Sequence, residues 1–265
     1  MNVHKMWVIV RKEWAEVFRN RFVLFTVGFL PLILTALPLI ILGVSGSAEG
    51  LTGLSGADMP ANFESLCEGL EGSDCLQYFF VTQFMLLFML MPLAIPVTIA
   101  SYSIVGEKTT RTLEPVLATP ITTLELLMGK SLAAALPAVA ATWIGFLLFV
   151  AGSMFLSVGP SVVARFFDPL WIIAIFLVSP LLAIASVSVA VMVSSRAQDP
   201  RVAEQLSMLV IMPLLGLFFG QIMGLIFIDR RMILLLAGIV ALIDVGLVAF
   251  ATRLFERETI LVRWK

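Results

Sequence analysis

Few side chains in this 265-residue sequence could carry out chemistry, and most of the usual combinations are missing. The only histidine is His4, and the only cysteines are Cys67 and Cys75. Zinc centres and Ser-His hydrolases draw on imidazoles at fixed spacing, so a His-based metal site or catalytic pair has almost no material. Met128-Gly129-Lys130-Ser131 resembles the end of a phosphate-binding loop. That loop needs a further glycine five positions before its second glycine, and position 124 is leucine. Gly129-Lys130-Ser131 reads instead as the entry of an apolar helix, with Lys130 at the headgroup boundary. No nucleotide, metal or cofactor is expected on this chain. One charge is out of place, because Asp244 lies inside a long apolar run. It could bind a cation or proton, or hydrogen-bond to a neighbouring helix.

The elements that must position these residues are membrane helices. Hydrophobic residues make up 60% of the chain and charged residues 13%, with mean hydropathy +1.05. Soluble domains run at roughly 45–50% apolar and 25% charged. This balance excludes a disordered chain and a nucleic-acid binder, and argues against a soluble enzyme. Six apolar runs, 22–44, 79–102, 131–156, 170–193, 206–228 and 232–251, reach the roughly 17–25 residues a spanning helix requires. Every charged residue except Asp244 falls in the connections. The expected fold is an all-α polytopic membrane protein, one transmembrane domain over 1–265 with six transmembrane helices.

The net charge of −1 hides an asymmetry along the chain. With six spans both termini share a side, and that side holds 14 of the 17 basic residues. The opposite side holds Arg165, Arg230 and Arg231. Basic residues mark the cytoplasmic side, so both termini are expected there, in a multi-pass protein of the cell's inner (plasma) membrane. The exported loop 45–77 carries six acidic residues, no basic ones, and both cysteines. In an oxidising exterior Cys67 and Cys75 are expected to form a disulfide. The competing reading is two unpaired thiols.

The connections are too short for a soluble domain, but two look designed for contact. Residues 1–21 read as an interfacial amphipathic helix with Val3, Met6, Trp7, Val10, Trp14, Val17 and Phe18 on one side. Lys5, Lys12, Glu13, Glu16 and Arg19 are expected largely on the other. In the cytoplasmic segment 106–130, Pro120 separates two pieces, and Thr122 and Glu125 have capping-box spacing for a new helix. Before Pro120, Glu107, Lys108, Arg111 and Glu114 alternate with Leu113, Val116 and Leu117, as expected of a docking helix. Within the fifth span, Gly216, Gly220 and Gly224 recur every four residues, with Gln221 on the next row. That spacing predicts a smooth stripe for close helix packing, at a dimer interface, along a translocation path or within one subunit.

These segments resemble the permease subunits of type-2 ABC exporters, near the sodium-exporter and copper-maturation branch. The resemblance is carried by Phe18-Arg19-Asn20-Arg21, by Gly106-Glu107-Lys108 with Thr112-Leu113-Glu114, and by Ala118-Thr119-Pro120-Ile121 leading to Gly129-Lys130. It extends to Ser194-Ser195-Arg196 and Asp199-Pro200-Arg201-Val202-Ala203-Glu204-Gln205. Thr109-Thr110-Arg111 departs from relatives, which carry an acidic residue and a glycine before Thr-Leu-Glu. The resemblance implies a permease paired with a second copy, as a homodimer or heterodimer, on two cytoplasmic ABC ATPase subunits. ATP and Mg would sit on that partner. It implies that Glu107–Ala118 is the coupling helix and that part of 220–236 can form a re-entrant outer hairpin. The cargo expected of such apolar spans is an amphiphile, with inorganic ions second. Two other classes fit less well. A secondary transporter would show internal duplication, and an intramembrane enzyme would need more polar groups in the spans.

Overall fold

Membrane-spanning length is reached by six helical stretches, Arg21–Val44, Asp74–Thr109, Leu124–Phe155, Pro169–Arg196, Pro200–Ile222 and Arg230–Ala251. The computed structural model describes residues 3–45, 73–110, 121–156, 160–226 and 228–254, and no strand occurs among them. The chain begins with α1 (Val3–Val17), followed by α2 (Arg21–Ser45), α3 (Ser73–Phe88), α4 (Met91–Thr109) and α5 (Thr123–Phe155). Two short helices follow, α6 (Pro160–Arg165) and α7 (Pro169–Ile173), then a π-helical turn, Ala174–Val178, and α8 (Ser179–Arg196). Next come α9 (Pro200–Ser207), a 3-10 turn at Met208–Ile211, α10 (Met212–Ile222) and α11 (Arg230–Leu254).

Prolines account for the differences from six uninterrupted helices. Pro92 ends the second span's first half, and α3 closes with tight bonds from Met89 N to Leu86 O and from Leu90 N to Leu87 O. Pro213 has no N–H for Leu209 O, and the fifth span is 3-10 helical there, so 206–228 is not one helix. On the outer side α10 stops at Ile222, while α11 runs unbroken from Arg230. Among the described residues of 220–236 are the end of α10, a turn through Gly224 and the start of α11. The capping box is present as read: Thr122 and Glu125 each accept from the other's backbone N–H.

α4 lies at the centre, almost wholly buried against α8, α5, α9, α2 and α1. α2, α10 and α11 are peripheral and turn large side chains outward, among them Leu32, Ile40, Leu242 and Val245. Apolar surface of this kind suits lipid contact. A lipid-facing bundle must also satisfy its backbone internally, and three carbonyls that prolines leave without donors are each filled from another helix. Pro96 has no N–H for Pro92 O, and Ser186 Oγ of α8 donates to that oxygen at 3.1 Å. Pro137 has none for Ala133 O, and Trp14 Nε1 of α1 donates to it at 2.9 Å. Pro180 has none for Ile175 O in the π turn, and Trp143 Nε1 of α5 donates to it at 3.1 Å. The prolines thus create the acceptors that join the helices to one another.

Candidate functional site

Most of the charge that this bundle buries is gathered where α1, the end of α4 and the start of α5 meet. Glu13 is 2% exposed, Glu107 5% and Lys130 6%. Lys130 Nζ donates to Glu13 Oε1 at 2.8 Å and to Ser103 Oγ at 3.0 Å. It also lies 2.7 Å from Glu107 Oε2, a charge contact whose angle is off the hydrogen-bond axis. Ser103 Oγ donates to Glu13, and Lys12 closes the far side by pairing with Glu107 and, at 3.1 Å, with Glu16. Two lysines balance the two buried glutamates, so the cluster is close to neutral as a unit.

The sequence builds this junction from three sides. Met6, Ile9, Val10, Glu13 and Val17 form the buried face of α1, a helical stripe with one carboxylate in it. Glu13 had been expected on the polar side; Lys130 and Ser103 give it partners inside. Trp7, expected on the apolar face, is instead half exposed. Gly129 lets α1 lie close, because a Cβ there would stand 2.9 Å from Ile9 Cβ. Lys130, expected at the headgroup boundary, points inward from the same turn. Burial alone would raise the pKa of Glu13, but Lys130, Ser103 and Lys12 reverse this and hold it below the ordinary carboxylate value. For Lys12 burial pulls downward, and Glu107, with help from Glu13 and Glu16, leaves the ammonium pKa raised. An open cavity of about 330 Å³ flanks the cluster, with Glu16, Asn20, Tyr102, Gly106, Glu107 and Thr110 in its wall.

Next to it, the same end of α4 is tied to the link between α8 and α9. Lys108 Nζ donates to Ser195 O at 3.3 Å and Ala197 O at 3.1 Å, carbonyls at the negative end of α8. Asp199 caps α9 by accepting from Arg201 N and Val202 N, and Glu204 Oε1 accepts from the buried Thr98 Oγ1 at 2.6 Å. Glu107 is therefore buried and paired inside the chain, and Lys108 is bonded to two backbone carbonyls of the α8–α9 link. Arg111, Leu113, Glu114 and Leu117 lie outside the described residues.

The sequence matches the profile of the ABC-2 family transporter proteins over residues 7–234, from α1 into α11. The chain belongs to the ABC-2 transporter family. No match was found among curated proteins. ABC-2 proteins are membrane components of ABC transporters, so this chain is an integral membrane permease component, and its family works with an ATPase partner.

The remaining candidate residues of this ABC-2 protein are scattered. Gly216 has nothing within 4 Å of where a Cβ would stand. Gly220 is close only to Ile226 of the following turn, at 2.9 Å, and Gly224 lies beyond α10 at φ 69°, where glycine is favoured. The three do not form one helical stripe. Close interhelical approach falls elsewhere, at Gly145 against Thr35 and Met91, and at Gly152 against Leu39. Gln221 and Asp244 are both buried; Gln221 Oε1 and both Asp244 oxygens have no hydrogen-bond partner. Cys75 is buried in α3 and is not a free thiol, while Cys67 lies outside the described residues. Sequence reasoning missed Lys12, Glu13, Ser103 and Glu204 as internal partners. The available signal was Glu13 at helical spacing between Val10 and Val17.

Proposed function

We propose that this chain is the membrane subunit of an ATP-driven exporter, and that the Glu13–Lys130–Glu107 cluster carries force from the ATPase into the spans. The observation behind this reading is Lys130 Nζ, 2.8 Å from Glu13 and 2.7 Å from Glu107. α4 and α5 are consecutive spans, joined only through residues 110–122. A push on that connection acts on two helix ends that one buried ammonium holds together, with α1 attached. Displacing α1 without α4 and α5 would break the Lys130–Glu13 and Lys12–Glu107 ion pairs and the Ser103–Glu13 hydrogen bond together. The three therefore move as one body.

In this reading residues 107–118 supply the coupling element, with Arg111, Leu113, Glu114 and Leu117 in the contact and Glu107 and Lys108 anchoring it. Two ATPase copies bind ATP and Mg, and a second permease copy completes the transporter. Both termini face the cytoplasm of an inner (plasma) membrane, with α1 in the membrane interface. Loop 45–77 is outside, with Cys67 bridged to Cys75. Outward transport and the sodium-exporter or copper-maturation branch rest on the resemblance of the segments quoted above. The test is co-purification with the ABC ATPase encoded nearest to it, using the wild type and a variant with residues 111–118 in scrambled order. Binding to wild type and loss in the variant are expected. Equal binding by both overturns the coupling role.

A further inference from the structure

Three helices, α5, α8 and α11, enclose a cavity of about 230 Å³ in which the central helix α4 takes no part. Its α5 wall runs from Leu127 to Ala135 and its α8 wall from Ile184 to Val191, two turns each, with Val248 and Ala251 of α11 along the side. α5 and α8 belong to consecutive spans and run in opposite directions, so Leu127 lies level with Val191 and Ala135 with Ile184. The rise along each wall makes the cavity about 10–12 Å long. Spread over that length, its volume gives a channel about 5 Å across, the width of one extended hydrocarbon chain whose atoms meet the walls at about 3.5–4.0 Å.

The wall selects what can fill this channel. It carries no charged side chain, and its only hydroxyls are Ser131 and Ser188. Ser188 Oγ donates to Ile184 O at 2.8 Å, which leaves Ser131 alone for an occupant. A buried water needs about two to four polar partners, and apolar cavities of about 150 Å³ stay dry and take hydrocarbon instead. The channel also opens on the outward-facing surface of the bundle. Ile184 in its α8 wall is 40% exposed, and Leu124, one turn before Met128 on the same stripe of α5, is 45% exposed. Leu124 continues the apolar path to Thr122, where α5 begins, at the end of the bundle that holds the Glu13–Lys130–Glu107 cluster. A chain entering there keeps its polar end outside the channel, at the helix start.

We propose that the α5–α8–α11 channel holds one acyl chain of a membrane lipid, drawn from the leaflet on the side of the ion cluster. The turns of α5 that the chain braces are those that Gly129 and Lys130 fasten to α1 and α4. The site needs only the bilayer and does not rest on the exporter reading. The test uses the purified chain in nanodiscs of phosphatidylcholine, a fixed fraction of which carries a diazirine part-way along one acyl chain. After illumination, adducts are mapped by mass spectrometry. Adducts within residues 127–135, 184–191 and 248–251 are expected to exceed at least fivefold those on α2, whose Leu32 and Ile40 face outward. Ala135→Leu and Val248→Phe fill the channel from two different helices. Each folded variant should lose at least four-fifths of the wall adducts and keep wild-type labelling of α2. Wall labelling no greater than that of α2, in the wild type, overturns the proposal, and so does undiminished wall labelling in a folded filled variant. A second arm uses trifluoromethylphenyl diazirine, a single ring with no headgroup. Wall adducts from this probe but not from the lipid would assign the cavity to small apolar molecules and overturn the lipid assignment.

Discussion

Replacing Trp14 by Phe should destabilise the protein in a way that Pro137→Ala cancels. Trp14 Nε1 donates at 2.9 Å to Ala133 O, the carbonyl for which Pro137 has no N–H. Phe keeps a ring beside Trp7, whose centroid lies 6.0 Å away, and removes the donor. Ala133 O then has no partner in a dehydrated contact, a loss of about 1–3 kcal/mol. Alanine at 137 restores the intrahelical N–H for that oxygen, so the donor from α1 is no longer needed. The cost of Trp14→Phe should fall to about 0.5 kcal/mol in that background, giving a coupling energy of about 1–2 kcal/mol in the double-mutant cycle. The straightening of α5 by Pro137→Ala is common to both halves of the cycle and drops out. Equilibrium unfolding of the four proteins in mixed micelles measures it. An equal cost of Trp14→Phe with and without Pro137 would refute the idea that this proline-freed carbonyl binds α1 to α5.

Lys130→Met leaves Glu13 and Glu107 buried without their shared cation and should cost about 3–5 kcal/mol in unfolding free energy; adding Glu13→Gln and Glu107→Gln should recover most of it. Gly129→Ala places a Cβ 2.9 Å from both Cβ and Cγ2 of Ile9, so it should cost about 1–3 kcal/mol; Ile9→Ala removes Cγ2 but keeps the Cβ, and should relieve only part of that cost in the double mutant. The pH profile of unfolding follows from the two shifted groups. Glu13, lowered from 4.5, stabilises above pH 4.5 and loses that contribution as pH falls through its folded value. Lys12, raised from 10.5, stabilises below pH 10.5 and loses its contribution only as pH rises through its folded value. These two groups leave stability level between those limits, with an acid-side fall that Glu13→Gln makes shallower; an unchanged fall in that variant would refute the assignment.

The spans were legible in the sequence because the bilayer imposes one simple rule, a long run without charge, and six runs obey it. The capping box at Thr122 was legible for a similar reason, since both partners lie within one turn. The cluster was not, because Glu13, Ser103, Glu107 and Lys130 come from three elements separated by up to 117 positions. A charged residue beside an apolar run looks the same in sequence whether it snorkels or turns inward to a partner, and Lys130 turns inward. The glycine stripe misled because spacing alone cannot tell a helix from the turn that ends it. Gly224 serves the turn, while Gly129, Gly145 and Gly152 of α5 serve close packing without a regular repeat.

The most direct test of force transfer through the cluster is ATP hydrolysis in proteoliposomes that hold this permease with its ABC ATPase. The comparison is between wild type and the triple variant Glu13→Gln/Lys130→Met/Glu107→Gln, which leaves only the Lys12–Glu16 pair charged, after unfolding measurements confirm that the variant is folded. The expected result is a complex of equal stoichiometry in which permease-stimulated hydrolysis falls at least tenfold. Wild-type stimulation by the folded triple variant, or no ATPase bound by the wild-type chain, would contradict it.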